Sequence, residues 1–262
     1  MIVKQALRDS TPLAFLSIRF LLATLALTPL VDFRAPWSRG ELRGGLLLTV
    51  LLASGFACQV VGLEYTTPAR SAFIVALSSV LAPIVALLAL RHRIGWMVLT
   101  ALLIAGVGIY FLTAPDAGGL NRGDLWTLIT AVVFGGHIVT VTELSKRYDA
   151  RRLVWLQLVG TTVGVTTAMA LLERVRIVWS PALIGALIFT GVIATALALV
   201  LQMRAQRHMS SARASLLLCL EPVFAALTSW LYWGEELSLT QALGAVFVLG
   251  GMVLAILGEP RD

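Results

Sequence analysis

Nine apolar runs separated by short charged punctuation fill this 262-residue chain and leave few architectures open. They cover residues 13–31, 46–63, 72–90, 96–113, 125–142, 153–171, 182–201, 214–233 and 241–257. Each can cross a hydrocarbon layer of about 30 Å at about 1.5 Å per residue in a helix. Lipid offers the backbone no water, so N–H and C=O groups must be satisfied within the segment, and such runs resolve to α-helices. No stretch alternates with the period of two that a membrane barrel needs. Composition agrees: 58% of residues are hydrophobic and 13% charged, about half the charged share of a soluble domain. No polar stretch is long enough for an added soluble domain. The fold class is an all-α polytopic membrane protein, with the lipid bilayer as its surroundings.

The formal net charge of +6 reads as loop arginines and lysines facing the cytoplasm, not as a nucleic-acid surface, since no nucleic-acid motif accompanies it. Cys58 and Cys219 lie within apolar runs and form no metal pattern, so they read as packing residues. The start, MIVKQALRDSTP, is too charged and interrupted for a cleavable signal peptide. There is no phosphate-cradling loop, no His-Glu-x-x-His and no Gly-x-Ser-x-Gly. No cofactor, metal or ATP-driven step is expected, and the chain is not read as an enzyme.

Lys and Arg distribute unevenly between the two sets of loops. One side carries six: Lys4, Arg8, Arg70, Arg122, Arg174 and Arg176. The other carries thirteen, among them Arg34, Arg39, Arg43, Arg91, Arg93, Arg151, Arg152 and Arg207. The richer side is expected to be cytoplasmic, which places the C-terminus inside and the Glu235–Glu236 loop outside.

The chain also repeats itself. Residues 66–94 align without a gap on 209–237, with Arg70 on Arg213, an offset of 143 residues. Ala69, Leu77, Val80, Ala82 and Leu88 meet identical residues there. Arg70 and Arg213 fall on opposite sides of the bilayer by the loop count, so the repeats are expected to be inverted, with five helices each. Inverted repeats are an architecture of secondary transporters, with substrate bound between the halves. Five plus five helices exceed the nine runs present. The missing partner is that of residues 123–140, so the first helix of ten is expected to be absent.

An ionisable group inside lipid costs at least about 2.5 kcal/mol on insertion scales, so each one needs a reason. Arg19, His137 and Glu221 stand inside apolar runs. Glu221, midway along its run, reads as a carboxylate for a substrate amine or a proton, or else as a packing acceptor. Arg19 reads as a partner for a substrate carboxylate, or as a side chain snorkelling to headgroups. His137 reads as a proton relay or as a hydrogen-bonded bundle residue. Pro83 and Pro222 are candidates for helix kinks. Gln59, Ser78, Ser79, Trp155 and Gln157 are candidates to line the same path, whereas the Gly160–Gly164 pair reads as close helix packing.

These residues resemble a known family. The segments PLAFLSIRFLLATLAL, GLEYTTPARSAFIVALSSVLAPIVALL and ARASLLLCLEPVFAALTSWLYWGEELSLTQALGAVFVLGGMVLAIL are similar to EamA-type ten-helix permeases of the drug/metabolite transporter superfamily. The run from Leu220-Glu221-Pro222 to Gly234-Glu235 is the most specific. The resemblance implies one repeat over 1–115, lacking its first helix, and a second over 121–258. It implies a permease or exporter of small organic metabolites, amino acids and related compounds among them, in the plasma or bacterial inner membrane. The family's first helix helps to wall the central cavity. The alternative is therefore a truncated, non-transporting remnant or a membrane assembly partner.

Overall fold

The structure, a computed structural model, describes residues 2–91, 95–113, 121–233 and 238–257. His92, Arg93 and the Glu235–Glu236 loop of the topology argument lie outside the described residues. Among the described residues every regular element is a helix, and the only β-type contact is one isolated bridge between Ser10 and Ile177. Seven helical stretches are long and apolar enough to cross a membrane, and two shorter apolar helices, Trp96–Phe111 and Leu239–Leu254, accompany them. These correspond one to one with the nine apolar runs. The chain is a polytopic membrane protein.

Contacts divide the chain into two compact units, Met1–Ala53 with Glu143–His208 and Ser54–Thr142 with Met209–Asp262. Each unit draws on both sequence repeats. The first contains α1 (Ile2–Asp9), α2 (Pro12–Leu27), α7 (Ala150–Leu172), α8 (Pro181–Ile188), a π-helical segment (Phe189–Leu197) and α9 (Ala198–Gln206). The second contains α4 (Pro68–Leu90), α5 (Trp96–Thr113), most of α6 (Arg122–Ser145), α10 (Ser211–Leu218), α11 (Glu221–Trp233) and α12 (Leu239–Leu257). The chain passes from the first unit to the second within α3 (Arg39–Leu63).

Helix starts are fixed by side chains that accept the otherwise unpaired N–H groups. Ser38 with Glu41, Asn121 with Asp124 and Ser238 with Gln241 form reciprocal capping boxes at the starts of α3, α6 and α12. Thr67 accepts the Arg70 N–H at the start of α4, and Ser210 accepts the Arg213 N–H at the start of α10, at 3.3 and 3.2 Å. These two caps sit at the same register of the repeat, so the aligned segments begin their helices in the same way.

The first unit shows which loops share an end. The start of the chain, read as an interrupted charged stretch, is the short helix α1. It packs Ala6 against Phe15, Leu183, Ala186 and Leu187. Beyond it the Thr11 N–H donates to Arg176 C=O at 3.0 Å, and Arg176 donates to Arg8 C=O at 3.0 Å. Arg8 and Arg176 therefore share the end at which α2 begins. At the end where α2 stops, Arg151 donates to Leu30 C=O at 3.2 Å and Arg152 pairs with Glu41 at 3.2 Å. The Arg152 guanidinium also lies 4.0 Å from the Trp37 ring centroid and donates to the carbonyls of Ala35 and Pro36.

An apolar core with Phe15, Phe20 and Leu48 is buried, but many large apolar side chains are also exposed, unlike in a soluble protein. Leu88, Leu171, Leu172 and Leu239 are 77–79% exposed, while Gln157, Thr127, Thr130 and Ser215 are fully buried. The apolar faces meet lipid. Many buried hydroxyl groups are satisfied by their own helix, as where Thr142 donates to Ile138 C=O and Ser215 to Ser211 C=O. Helix contacts then rely on small residues. On α12 a Cβ at Gly251 would stand 2.7 Å from Ala101 C=O of α5, whereas one at the neighbouring Gly250 would meet nothing within 4 Å.

The two adjacent glycines give a matched test. Gly251→Ala should lower the apparent unfolding temperature in detergent, because overpacking costs about 1–3 kcal/mol. Gly250→Ala should leave it unchanged or raise it, since alanine is favoured over glycine in helices by up to about 1 kcal/mol. Equal effects of the two substitutions would contradict the α5–α12 packing.

Candidate functional site

The first unit is organised around the seam of α2 with α7. Glu173, just beyond α7, accepts the N–H groups of Leu13 and Ala14 at 3.0 and 2.9 Å, placing a carboxylate on the positive end of α2. Further along, Ser17 meets Thr166 at 2.7 Å, Thr24 meets Thr162 at 3.2 Å, and the Trp155 indole donates to Thr28 at 3.0 Å. This ladder fixes the rotation of α2 and so the direction in which Arg19 leaves it.

Arg19 reaches the π-helical segment on the other flank of α2. Its Nε donates to Thr195 Oγ1 at 2.9 Å, and Thr195 Oγ1 donates to Thr190 C=O, five residues back, at 2.7 Å. The widened turn is also visible in the backbone, where the Ala198 N–H points to Ile193 C=O. Such turns occur often at functional sites. Gly191 lets α2 come close here: a Cβ at that position would lie 2.9 Å from Arg19 C=O and 3.1 Å from Leu22 Cβ. Arg19 is half-buried, and among the described residues no carboxylate pairs with it. Its nearest other polar interaction is a loose approach to the Phe20 ring, at 5.9 Å.

The second unit holds Glu221. The sequence places it midway along one continuous helix, but the structure divides that run into α10 and α11, with Cys219 and Leu220 between them. The Leu220 N–H turns back to Leu217 C=O at 3.1 Å, a tightened last turn. Glu221 is therefore the first residue of α11, exposed, with Pro222 beside it in the first turn. Proline has no N–H to lose there, and a carboxylate is favoured at a helix N-terminus. Among the described residues Glu221 makes no ion pair. Cys219 is buried in a cluster with Ala105, Ile109 and Val248, against which Leu220 and Phe73, Ala76 and Val80 of α4 pack.

The other candidates separate. Ser78, Ser79 and His137 are buried in the second unit, on α4 and α6. There a Cβ at Gly135 would stand 3.1 Å from Ser78 C=O. Gln59 is half-buried on the last part of α3. Pro83 lies inside α4, which continues through it without a break. In the first unit Gln157 is fully buried. The Trp155 ring is enclosed by Phe33 and Trp37 at 5.1 and 6.0 Å. The structure thus joins Trp155 to the aromatic cluster over the α2–α3 connection. Gly160 meets Thr49 of α3, a close helix contact of the kind its spacing suggests.

Two polar centres escaped the sequence reading. Asp124, buried at the start of α6, pairs with Arg70 at 2.7 Å and accepts from Thr66 at 2.7 Å. Thr195 carries the Arg19 contact. The capping box Asn121-x-x-Asp124 was a usable signal for the first, and nothing in FTGVIATAL marks the second. Among the described residues no three His, Cys, Asp or Glu side chains gather to hold a metal ion.

The apolar spans, the exposure of large apolar side chains and the charged groups within the spans define a multi-pass membrane protein. The chain belongs to the EamA-like transporter family, which it matches over residues 1–114 and 121–257. It is 30% identical over 256 residues to an uncharacterized transporter of Archaeoglobus fulgidus, covering 98% of this chain and 80% of that one. It is 17% identical to the uncharacterized transporter YoaV of Bacillus subtilis, covering 96% and 89%. One crystal structure superposes with a TM-score of 0.81 at 16% identity, over 94% of this chain and 88% of that one, and shares the fold.

The Arg19–Thr195 contact is open to a double-mutant cycle. Hydrogen bonds to charged groups are worth about 1.5–3 kcal/mol. Arg19→Met and Thr195→Val should each lower thermal stability or leave it near wild type, and their effects should be non-additive. Strict additivity in detergent unfolding would show that the two side chains do not interact.

Proposed function

We propose that the chain is a secondary transporter of small organic metabolites, amino acids and related compounds among them, with no catalytic step of its own. The observation that carries this reading is the pair of charged side chains, Arg19 and Glu221, inside apolar spans and without a counter-ion among the described residues. Uncompensated charge in such a position is costly and marks a substrate or ion path. Each also stands beside irregular backbone, the feature that transporters place at a central site. In this reading Glu221 exchanges a proton or binds a substrate amine, and the five-helix repeats are inverted with their site between them. Ser78, Ser79, His137, Gln59 and Gln157 are the further polar candidates along the path. The protein lies in the plasma or bacterial inner membrane, and its C-terminus is cytoplasmic.

Sidedness is tested with single cysteines in a background lacking Cys58 and Cys219. Cysteines at Arg34 and Arg207 should react with an impermeant thiol reagent only after the membrane is opened, and one at Arg176 should react in intact cells. Labelling of all three from one side would contradict the assigned topology.

Transport is tested in proteoliposomes with radiolabelled amino acids and an imposed proton gradient. Glu221→Gln keeps the size of the side chain and removes its charge. It should abolish the pH dependence of flux while the protein stays monodisperse. Unaltered pH-dependent flux would make Glu221 a packing residue. Absence of flux for every solute would favour the remnant or assembly partner.

A further inference from the structure

The geometry points to Arg19 as a receptor for a single carboxylate on the transported solute, an inference that rests on the transporter reading above and names the class of substrate. A guanidinium carries five N–H donors in a rigid plane. Among the described residues only Nε is committed to a hydrogen bond, with Thr195. The two terminal nitrogens form the end-on fork that matches a carboxylate with two parallel hydrogen bonds.

The side chain is held at both ends. Its backbone lies against Gly191, where any Cβ would approach Arg19 C=O to 2.9 Å. Its Nε is fixed by Thr195, whose own proton is spent on Thr190 C=O, so the threonine oxygen is left to accept. The Thr190 hydroxyl is spent in turn on Ala186 C=O at 2.6 Å. An arginine immobilised before its ligand arrives loses little further freedom on binding.

Snorkelling predicts a different arrangement. A snorkelling arginine extends toward the nearer headgroups. Arg19 instead crosses to Thr195, which stands near the middle of the apolar stretch Pro181–Gln206, away from both of its ends. The contact holds the charge at depth.

Charge matching sets the ligand. Arg19 is the single Lys or Arg among the described residues in the middle of an apolar span, the others lying outside the spans or near their ends. One positive charge offsets one carboxylate. A doubly charged phosphate monoester would keep an uncompensated charge in the same place.

The test is ligand-induced thermal stabilisation of the purified protein in nanodiscs. The probes are amino acids and short aliphatic monocarboxylates, each matched with its carboxamide, together with small phosphate monoesters. At least one monocarboxylate should stabilise the wild type while its carboxamide does not. Arg19→Gln should weaken that binding on the order of 10- to 100-fold. Arg19→Lys, which keeps the charge and loses the fork, should fall between and serves if the glutamine variant is unstable.

Equal stabilisation of wild type and Arg19→Gln would overturn the assignment. So would stabilisation by carboxamides or phosphate monoesters as strong as that by carboxylates. No shift with any monocarboxylate would overturn it too, leaving Arg19 to a lipid headgroup. The transporter reading fails separately: proteoliposomes that move only neutral or cationic solutes would sink the carboxylate receptor and keep the transporter. A carboxylate that binds at Arg19 but is never moved would do the reverse.

Discussion

A backbone in hydrocarbon has nowhere to place its N–H and C=O groups except in its own helix. That constraint explains why the regular elements are helices and why deviations need a local remedy. Within the spans two deviations stand out. In the segment Phe189–Leu197 the turn widens, and the Thr195 hydroxyl takes up the Thr190 carbonyl. Between α10 and α11 the turn tightens, and Cys219 and Leu220 donate to carbonyls three and four residues back. At that second place Pro222 sits in the first turn of the new helix without an N–H to satisfy. Both deviations are closed by groups at hand, so they can persist in lipid.

The charged residues within the spans gather at these deviations. Arg19 is bonded into the π segment and Glu221 opens α11. Regular helix presents its side chains only at intervals of 100° and hides its carbonyls. A widened or interrupted turn exposes backbone polarity and changes the direction of the side chains beyond it. Charge and irregular backbone thus support one another, since each supplies polar partners that lipid does not.

Span positions were legible because bilayer thickness sets their length, and among the described residues each of the nine apolar runs falls in a helical stretch, one of them divided between α10 and α11. Helix starts were legible in principle: Ser38-x-x-Glu41 and Asn121-x-x-Asp124 are capping boxes that local chemistry makes readable. The two prolines show where local rules stop. Pro222 stands at the head of a new helix, whereas α4 continues through Pro83. Near Pro83, Ala82 and Ala86 are buried with Ile138 and Val139 of α6, so tertiary packing surrounds the helix at its proline. The π segment was hidden for a related reason. FTGVIATAL reads as ordinary apolar helix, and its widened turn takes its role from a partner, Arg19, that lies 176 residues away in sequence.

The structure also separates two uses of charge that the sequence could not. Arg70 with Asp124, and Arg152 with Glu41, sit at helix ends, where Asp124 also accepts from Thr66 and the Asn121 N–H and Arg152 also donates to the carbonyls of Ala35 and Pro36. Breaking such a pair by removing one partner leaves the other buried and uncompensated, a loss of about 3–5 kcal/mol. These charges fasten loops to helices. Arg19 and Glu221 have no such partner among the described residues, although each is held by its own helix at a fixed depth. A purely structural arginine gains most from a carboxylate on its fork, and the α2–π interface supplies a threonine hydroxyl at Nε instead. The interface orients the guanidinium through Nε, and among the described residues no carboxylate meets its terminal nitrogens.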